Sequence, residues 1–322
     1  MRDMDSIVDR ALRYRDAQAI AKVITAIESN PYSLRRYSGK LFRPEVRSNV
    51  LVVTGPPGVG KSSLINHLVR ELRREGYTVA VLAIDPASPF SGGSFLGNRV
   101  RVRTLNEGTY FRSMSSPPEE VFPWKAVLTV EFLNSVGFDY VIVESPGAGQ
   151  SNVKFMELGD VTVVVLQPLT GDDIQALKAG IMEIGDVYVL NKADLPQAEL
   201  TYMQLESVVK DLRRGGWAPP LVRVNSISGR GVRELVKAIN DFLSYARSEG
   251  LLNARRFRRR LAEVREIALE NIRALFYEFV ETPMANRVVE EVARGRKDLL
   301  EGSEEILKAF TKAVKKCWGG GS

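Results

Sequence analysis

Six short segments constrain this chain more than anything else in it: "NVLVVT" from residue 49, "TVAVLAID" from 78, "DYVIVES" from 139, "VTVVVLQ" from 161, "VYVLN" from 187 and "LVRVNS" from 221. Each is a near-continuous run of aliphatic, mostly β-branched residues. A strand with one wet face would alternate apolar and polar positions. Strands buried on both faces do not, and they belong to parallel sheets covered on each side. Helical stretches fall between most of the six. The expected fold is therefore α/β, a doubly wound, mostly parallel sheet that binds its ligands at the carboxyl ends of its strands.

Helical sequence flanks this core. "SIVDRALRYRDAQAIAKVITAIES" sets Ile7, Ala11, Tyr14, Ile20, Val23 and Ile27 mostly on one helical face, and Asn30-Pro31 ends the run. Near the other end Phe257, Leu261, Val264, Ala268, Ile272, Leu275 and Phe279 step by three or four, an amphipathic stripe over about six turns. The spacing predicts four parts: an N-terminal helical extension (1–47), the α/β domain (48–247), a C-terminal helical arm (248–318) and a disordered "GGGS" tail (319–322). The stripe is expected to pack on the main domain or to pair with a second subunit.

The chain has one cysteine, Cys317, and one histidine, His67. An internal disulfide is excluded, a reducing compartment is expected, and a zinc or nickel site of His and Cys has no material. No apolar run reaches membrane-spanning length and "MRDMDSIVDR" does not resemble a signal peptide, so a cytoplasmic protein without a membrane partner is expected. The net charge of +6 over 322 residues suits an anionic ligand without requiring nucleic acid, which is not expected as a partner. "RRFRRR" at 255–260 reads as the solvated face of a helix that buries Phe257 and Leu261. His67 and Trp124 read as structural, and Cys317 as incidental.

"GPPGVGKSS" follows the first strand and precedes a helix. Gly55, Gly60, Lys61 and Ser62 satisfy the Walker A pattern in its proper strand–loop–helix setting. Gly55, Pro56, Pro57, Gly58, Val59, Gly60, Lys61, Ser62 and Ser63 are the candidate phosphate-binding residues. Glycines let backbone N–H groups close around phosphate, and the helix N-terminus adds positive potential. Lys61 is placed to reach the β- and γ-phosphates, and Ser62 to bind Mg²⁺. Asp85 and Glu144, each at a strand's carboxyl end, are the other candidate Mg²⁺ ligands. Gly147 is placed to give its N–H to the γ-phosphate.

The base is read elsewhere. Asn191-Lys192-Ala193-Asp194 is the guanine signature N-K-x-D, about 130 residues after the Walker loop. Asp194 can accept from guanine N1 and the exocyclic amine, a donor pair that adenine lacks. The stem of Lys192 can cover the base. Ser226-Ile227, after a further strand, resembles a second guanine loop whose N–H meets O6. The expected ligands are GTP and GDP with Mg²⁺.

"GPPGVGKSSL", "VLAIDPASPFSGGSFLGNRVRV", "ESPGAGQS", "GDDIQALKAGIMEIGDVYVLNKADL" and "SISGRGV" together resemble the MeaB/MMAA/ArgK family of SIMIBI-class P-loop GTPases. Members of that family are G-protein chaperones of adenosylcobalamin-dependent methylmalonyl-CoA mutase and related acyl-CoA mutases. The resemblance covers about residues 5–250 and matches the C-terminal arm only in kind. It implies a mutase partner, a homodimer built on the arm, and a mobile relay in "GDDIQALKAGIMEIGD" with Asp172, Asp173, Gln175 and Lys178 as its candidates. The same stretch also reads as an amphipathic helix burying Ile174, Leu177, Ile181 and Ile184. Two positions depart from the family: Asn98 stands where relatives carry Asp, and Asn152 stands after "GQS" where they carry Glu. Asn98 and Gln150 are switch candidates. The loss of negative charge implies hydrolysis that is slow or partner-dependent. Two other readings stay open: a nucleotide-binding scaffold whose hydrolysis has decayed, and a metallochaperone GTPase, which would need a His/Cys motif. An ATP-dependent transport kinase conflicts with the guanine signature.

Overall fold

The computed structural model describes residues 2–43, 45, 48–86, 108–116, 123–146, 158–168, 181–212 and 216–318. Asn98, Gly147, Gln150, Asn152, Asp172, Asp173, Gln175, Lys178 and the 319–322 tail lie outside them. The chain divides into two compact units, Met1–Arg260 and Leu261–Ser322.

In the first unit seven parallel strands form one sheet in the order β3-β2-β4-β1-β5-β6-β7. They are β1 (Asn49–Thr54), β2 (Val79–Pro86), β3 (Thr109–Ser116), β4 (Tyr140–Glu144), β5 (Val161–Leu166), β6 (Val187–Leu190) and β7 (Leu221–Arg223). The six apolar runs are all strands of it. The seventh, β3, escaped the sequence reading because "TYFRSMSS" is half polar. It is an edge strand, paired on one side among the described residues, and of its residues 109–115 Tyr110 and Met114 are the buried ones.

Period-two side-chain alternation sends each strand's residues into two cores. Val50, Val52, Ala80, Leu82, Val141 and Val143 pack with α1 (Arg2–Tyr14), α2 (Ala17–Ser29) and α5 (Trp124–Val136). Leu51, Val53, Val81, Ile142, Val163 and Val189 pack with α4 (Lys61–Arg74) and α7 (Val232–Ser248). A smaller cluster joins Val164, Leu166, Tyr188 and Leu190 to α6 (Ala198–Asp211). Trp124 opens α5 half-buried against the first core.

The N-terminal run is two helices rather than one. Arg15 takes a left-handed φ of +51°. Asp16 then turns extended and its carboxylate accepts from the Ala19 N–H at 2.7 Å, an N-cap that starts α2 afresh. Tyr14, the last residue of α1 before the break, is exposed, while Ile7, Ala11, Ile20, Val23 and Ile27 are buried. Asn30 ends α2 as expected. A 3₁₀ turn (Pro31–Tyr37) and the short α3 (Ser38–Leu41) follow.

The basic run is the clearest correction. Phe257 and Leu261 are exposed, and it is arginines that are covered. Residues 251–260, the opening turns of α8 (Leu251–Val280), lay their guanidinium groups on buried acids at the amino ends of the strands. Arg256 clamps both carboxylate oxygens of Asp160, at 2.9 and 2.6 Å. Arg259 reaches Asp160 at 3.3 Å and the Leu158 carbonyl at 2.6 Å. Arg255 holds Asp186 through two bonds, at 2.8 and 2.7 Å. Arg260 pairs with Glu131 of α5 at 2.5 Å. Burying a carboxylate is costly unless it is paired, and charge-assisted forks are the strong form of that pairing.

The second unit holds residues 261–280 of α8, α9 (Pro283–Ala293) and α10 (Leu299–Trp318). Phe276 and Phe279 set their rings edge-on to Phe310, with centroids 5.2 and 5.5 Å away. Leu261, Val264, Ala268, Ile272 and Leu275 of the sequence stripe are exposed. No described helix is long and apolar enough to cross a membrane.

Candidate functional site: a nucleotide cleft at the strand carboxyl ends

The Walker loop leaves β1 where the strand lies between β4 and β5. Gly55 is forced by close approach: a Cβ there would come 2.2 Å from the Val165 carbonyl oxygen of β5. Gly60, left-handed with φ +94°, starts α4. Its missing Cβ would sit 2.5 Å from Asn191 Nδ2 and 3.1 Å from Ser226 Oγ. The last glycine of the Walker loop is thus the contact point with both the Asn191 and the Ser226 segments.

Those segments are hydrogen-bonded to the loop and to each other. Buried Asn191 donates through Nδ2 to the Val59 carbonyl at 2.7 Å and to Ser226 Oγ at 2.9 Å. Its Oδ1 accepts from the Ser226 N–H at 2.9 Å. The first residue of N-K-x-D therefore joins three loops. Lys192, at φ +56°, donates through Nζ to the Gly58 carbonyl at 3.0 Å and to Gln167 Oε1 at 2.5 Å. Its stem is drawn toward the Walker loop. Asp194 lies exposed on the following turn. The Ile227 and Ser228 N–H groups both bond Asn225 Oδ1, at 2.9 and 3.0 Å, and Ile227 projects outward. The N–H groups of the Ser226-Ile227 pair, a loop expected to bring one N–H to guanine O6, are both engaged within the protein.

Gly60→Ala is expected to keep the fold and weaken guanine-nucleotide binding by about tenfold or more, because the new methyl must displace Asn191. Nucleotide titration alongside a thermal melt checks this. Unchanged affinity would show that Asn191 gives way freely.

At the phosphate end, mostly buried Lys61 donates through Nζ to the Gly55 and Pro56 carbonyls at 2.8 and 3.0 Å. Burial pushes its ammonium below the usual lysine range, and the nearby Glu144 charge opposes that shift. Ser62 Oγ donates to Glu144 Oε1 at 2.7 Å. Asp85 and Glu144 are both buried at carboxyl ends of adjacent strands. Ala83 pairs with Glu144, so Asp85 sits two residues further along β2. Ser62, Asp85 and Glu144 make an all-oxygen donor set, the chemistry a hard divalent cation takes. The site joins Ser62 to Glu144 by a hydrogen bond, with Lys61 feeling the Glu144 charge nearby, and joins the Walker loop, Asn191, Lys192 and Ser226 by direct hydrogen bonds.

Three supporting groups were missed from sequence: Gln167, which holds Lys192; Asn225, which caps the Ser226–Ser228 turn; and Ser145, whose hydroxyl donates to Thr54 Oγ1 at 2.8 Å. A polar residue directly after a buried strand is the signal that could have found Gln167 and Ser145; Asn225 lies two residues past β7. His67 lies half-buried on α4, packed against Gly229 of the same turn.

Residues 20–280 match the family model of the methylmalonyl-CoA mutase-associated GTPase MeaB. A Pyrococcus horikoshii protein that carries a GTPase name is 36% identical over 275 residues, 83% of this chain and 86% of its own. GTPase ArgK of Escherichia coli is 32% identical, over 76% of this chain and 77% of its own. The mouse mitochondrial methylmalonic aciduria type A homolog is 32% identical over 63% of this chain and 51% of its own. The fold matches the solved structure of an LAO/AO transport system kinase with a TM-score of 0.69 at 24% identity, covering 96% and 97% of the two chains. With a Walker loop bonded to a guanine signature, and relatives named GTPases along most of its length, this chain belongs to the MeaB family of P-loop GTPases.

Proposed function

We propose that this GTPase is a switch that gates cofactor loading, or protects from inactivation, an adenosylcobalamin-dependent acyl-CoA mutase of the methylmalonyl-CoA type. The observation that carries the reading is the family match from residue 20 to 280, whose description names a mutase association. The mouse relative's name points the same way. A GTPase acts as a switch only through a difference in partner affinity between its nucleotide states.

In the proposed cycle the Walker N–H groups and Lys61 hold the phosphates, Asp194 selects guanine, and the Lys192 stem covers the base. Ser62, Asp85 and Glu144 would hold Mg²⁺, which would neutralise charge on the β- and γ-phosphate oxygens. The Ser62–Glu144 bond supports this, since it sets a hydroxyl and a carboxylate side by side next to the Walker lysine. Nucleotide binding must exchange the Lys61 bonds to Gly55 and Pro56 for phosphate oxygens, so the loop that binds is the loop that rearranges. Asn98, Gly147, Gln150 and the relay candidates Asp172, Asp173, Gln175 and Lys178 would carry the γ-phosphate signal outward. The exposed stripe from Leu261 to Leu275 is the surface we assign to a homodimer. A cytoplasmic location fits this role.

GTP turnover, measured alone and with an acyl-CoA mutase from the same source, tests the reading. Slow basal hydrolysis with stimulation of tenfold or more by the mutase is expected; partner-supplied groups can raise GTPase rates by up to roughly 10⁵-fold. Tight GTP binding with no turnover in either condition would replace the switch with a scaffold.

A further inference from the structure

A polar cavity of about 450 Å³ lies between the C-terminal half of α4 and the turn that leads from β7 into α7. Its volume is that of a small-molecule site. Three guanidinium groups, those of Arg70, Arg74 and Arg233, line it together with the imidazole of His67. The acids on its wall are Glu71 and Glu234. Nearly buried Glu71 is already answered: Arg233 Nε donates to Oε1 at 2.9 Å and Arg74 Nη1 to Oε2 at 2.8 Å. Each of these arginines spends one of its five N–H donors on that carboxylate, and both side chains remain mostly exposed. Arg70 has no ion pair among the described residues. The wall carries three fixed positive charges against two negative ones, and α7 starts beside it at Gly231. Guanidinium forks match the paired oxygens of phosphate and carboxylate.

The cavity also touches the base-reading turn. A Cβ at Gly229 would lie 2.6 Å from His67 Nδ1, so the turn rests on the imidazole. Gly229 donates its N–H to the Asn225 carbonyl at 2.8 Å, and Asn225 Oδ1 holds the next two N–H groups after Ser226. Ser226 in turn bonds Asn191 of the guanine signature. An anion joining Arg70 and Arg74 on α4 to Arg233 on α7 would bear on this turn from behind.

We propose that this cavity is an effector site for a small polyanion, carrying phosphate or carboxylate groups, whose binding between α4 and α7 changes the rate at which guanine nucleotide leaves. The binding half stands on the cavity alone. The coupling half rests on the reading of Ser226 and Asn191 as base-site residues.

The test uses the full chain loaded with GDP and Mg²⁺, so that the Walker loop is filled. His67 is the only histidine, so its imidazole NMR signals report this one cavity. Inorganic phosphate, citrate and hexaglutamate are titrated in separate arms at constant pH and ionic strength, in wild type, Arg70→Gln and Arg233→Gln. Expected is a saturable His67 shift with phosphate, citrate or both, weakened about tenfold in each variant, and a GDP release rate changed about fivefold or more at saturation. The phosphate and citrate arms separate the two sources of oxyanion. No shift by 20 mM ligand (roughly), or a shift that survives in both variants, overturns the site. A shift with hexaglutamate alone overturns the small-molecule ligand in favour of an acidic polypeptide. A saturable, variant-sensitive shift with unchanged GDP release overturns the coupling while the site stands.

Discussion

Asp194→Asn is expected to weaken GTP binding by roughly 10⁴-fold while gaining affinity for XTP. A site built to hydrogen-bond one ligand rejects, by about that factor, an analogue that leaves its polar groups unpaired. In this reading the carboxylate would accept from guanine N1 and the exocyclic amine. An amide in its place presents one acceptor and one donor, and the donor faces an amine it cannot pair with. Xanthine carries a carbonyl there and restores the match. The structure makes Asp194 the right position to change. Asn191 is committed on both sides of its amide to Val59 and Ser226, and Lys192 is committed to Gly58 and Gln167. Asp194 is exposed, one residue past Ala193, whose N–H bonds the Val224 carbonyl. Competition binding with GTP, XTP and ATP decides it. A variant that still prefers GTP over XTP would remove Asp194 from base selection.

Asp160→Ala is expected to destabilise the protein by about 3–5 kcal/mol, the usual cost of breaking a buried ion pair by deleting one partner. Asp160 is fully buried before β5 and accepts from the Val50 N–H at 3.0 Å, as well as from Arg256 and Arg259. Its removal strands two guanidinium groups and a strand N–H together. The effect should read as a lowered urea midpoint, with guanine-nucleotide affinity little changed in protein that remains folded. The reason is position: Val50 is the second residue of β1, and the Walker loop leaves the strand's other end. A loss below about 1 kcal/mol would mean that water reaches the arginines and the clamp adds little.

The apolar runs were enough to place six of the seven strands in a parallel sheet, because a strand covered on both faces leaves an unmistakable pattern in one dimension; β7, an edge strand that is only half-buried, was found by its aliphatic residues without being covered on both faces. The Walker and N-K-x-D segments were legible for a related reason. Each is a contiguous stretch whose chemistry depends on neighbours in the chain. β3 was not legible, since an edge strand needs no continuous apolar run. The contacts that make the loops one site were not legible either. Gly60 against Asn191, Asn191 against Ser226 and Lys192 against Gln167 join residues 25 to 131 positions apart.

The basic run "RRFRRR" is the sharpest case. By composition it is a wet helix face with a buried phenylalanine. In the structure Arg255, Arg256 and Arg259 face inward and Phe257 faces out, because Asp160 and Asp186 wait at the amino ends of β5 and β6. Six of the seven strands and the Walker and N-K-x-D motifs at strand ends could be read from local pattern alone. Only the tertiary structure decided which charges are buried and which loops hold one another. Burial of a charge depends on an opposite charge brought near by the fold, and no local pattern records that neighbour.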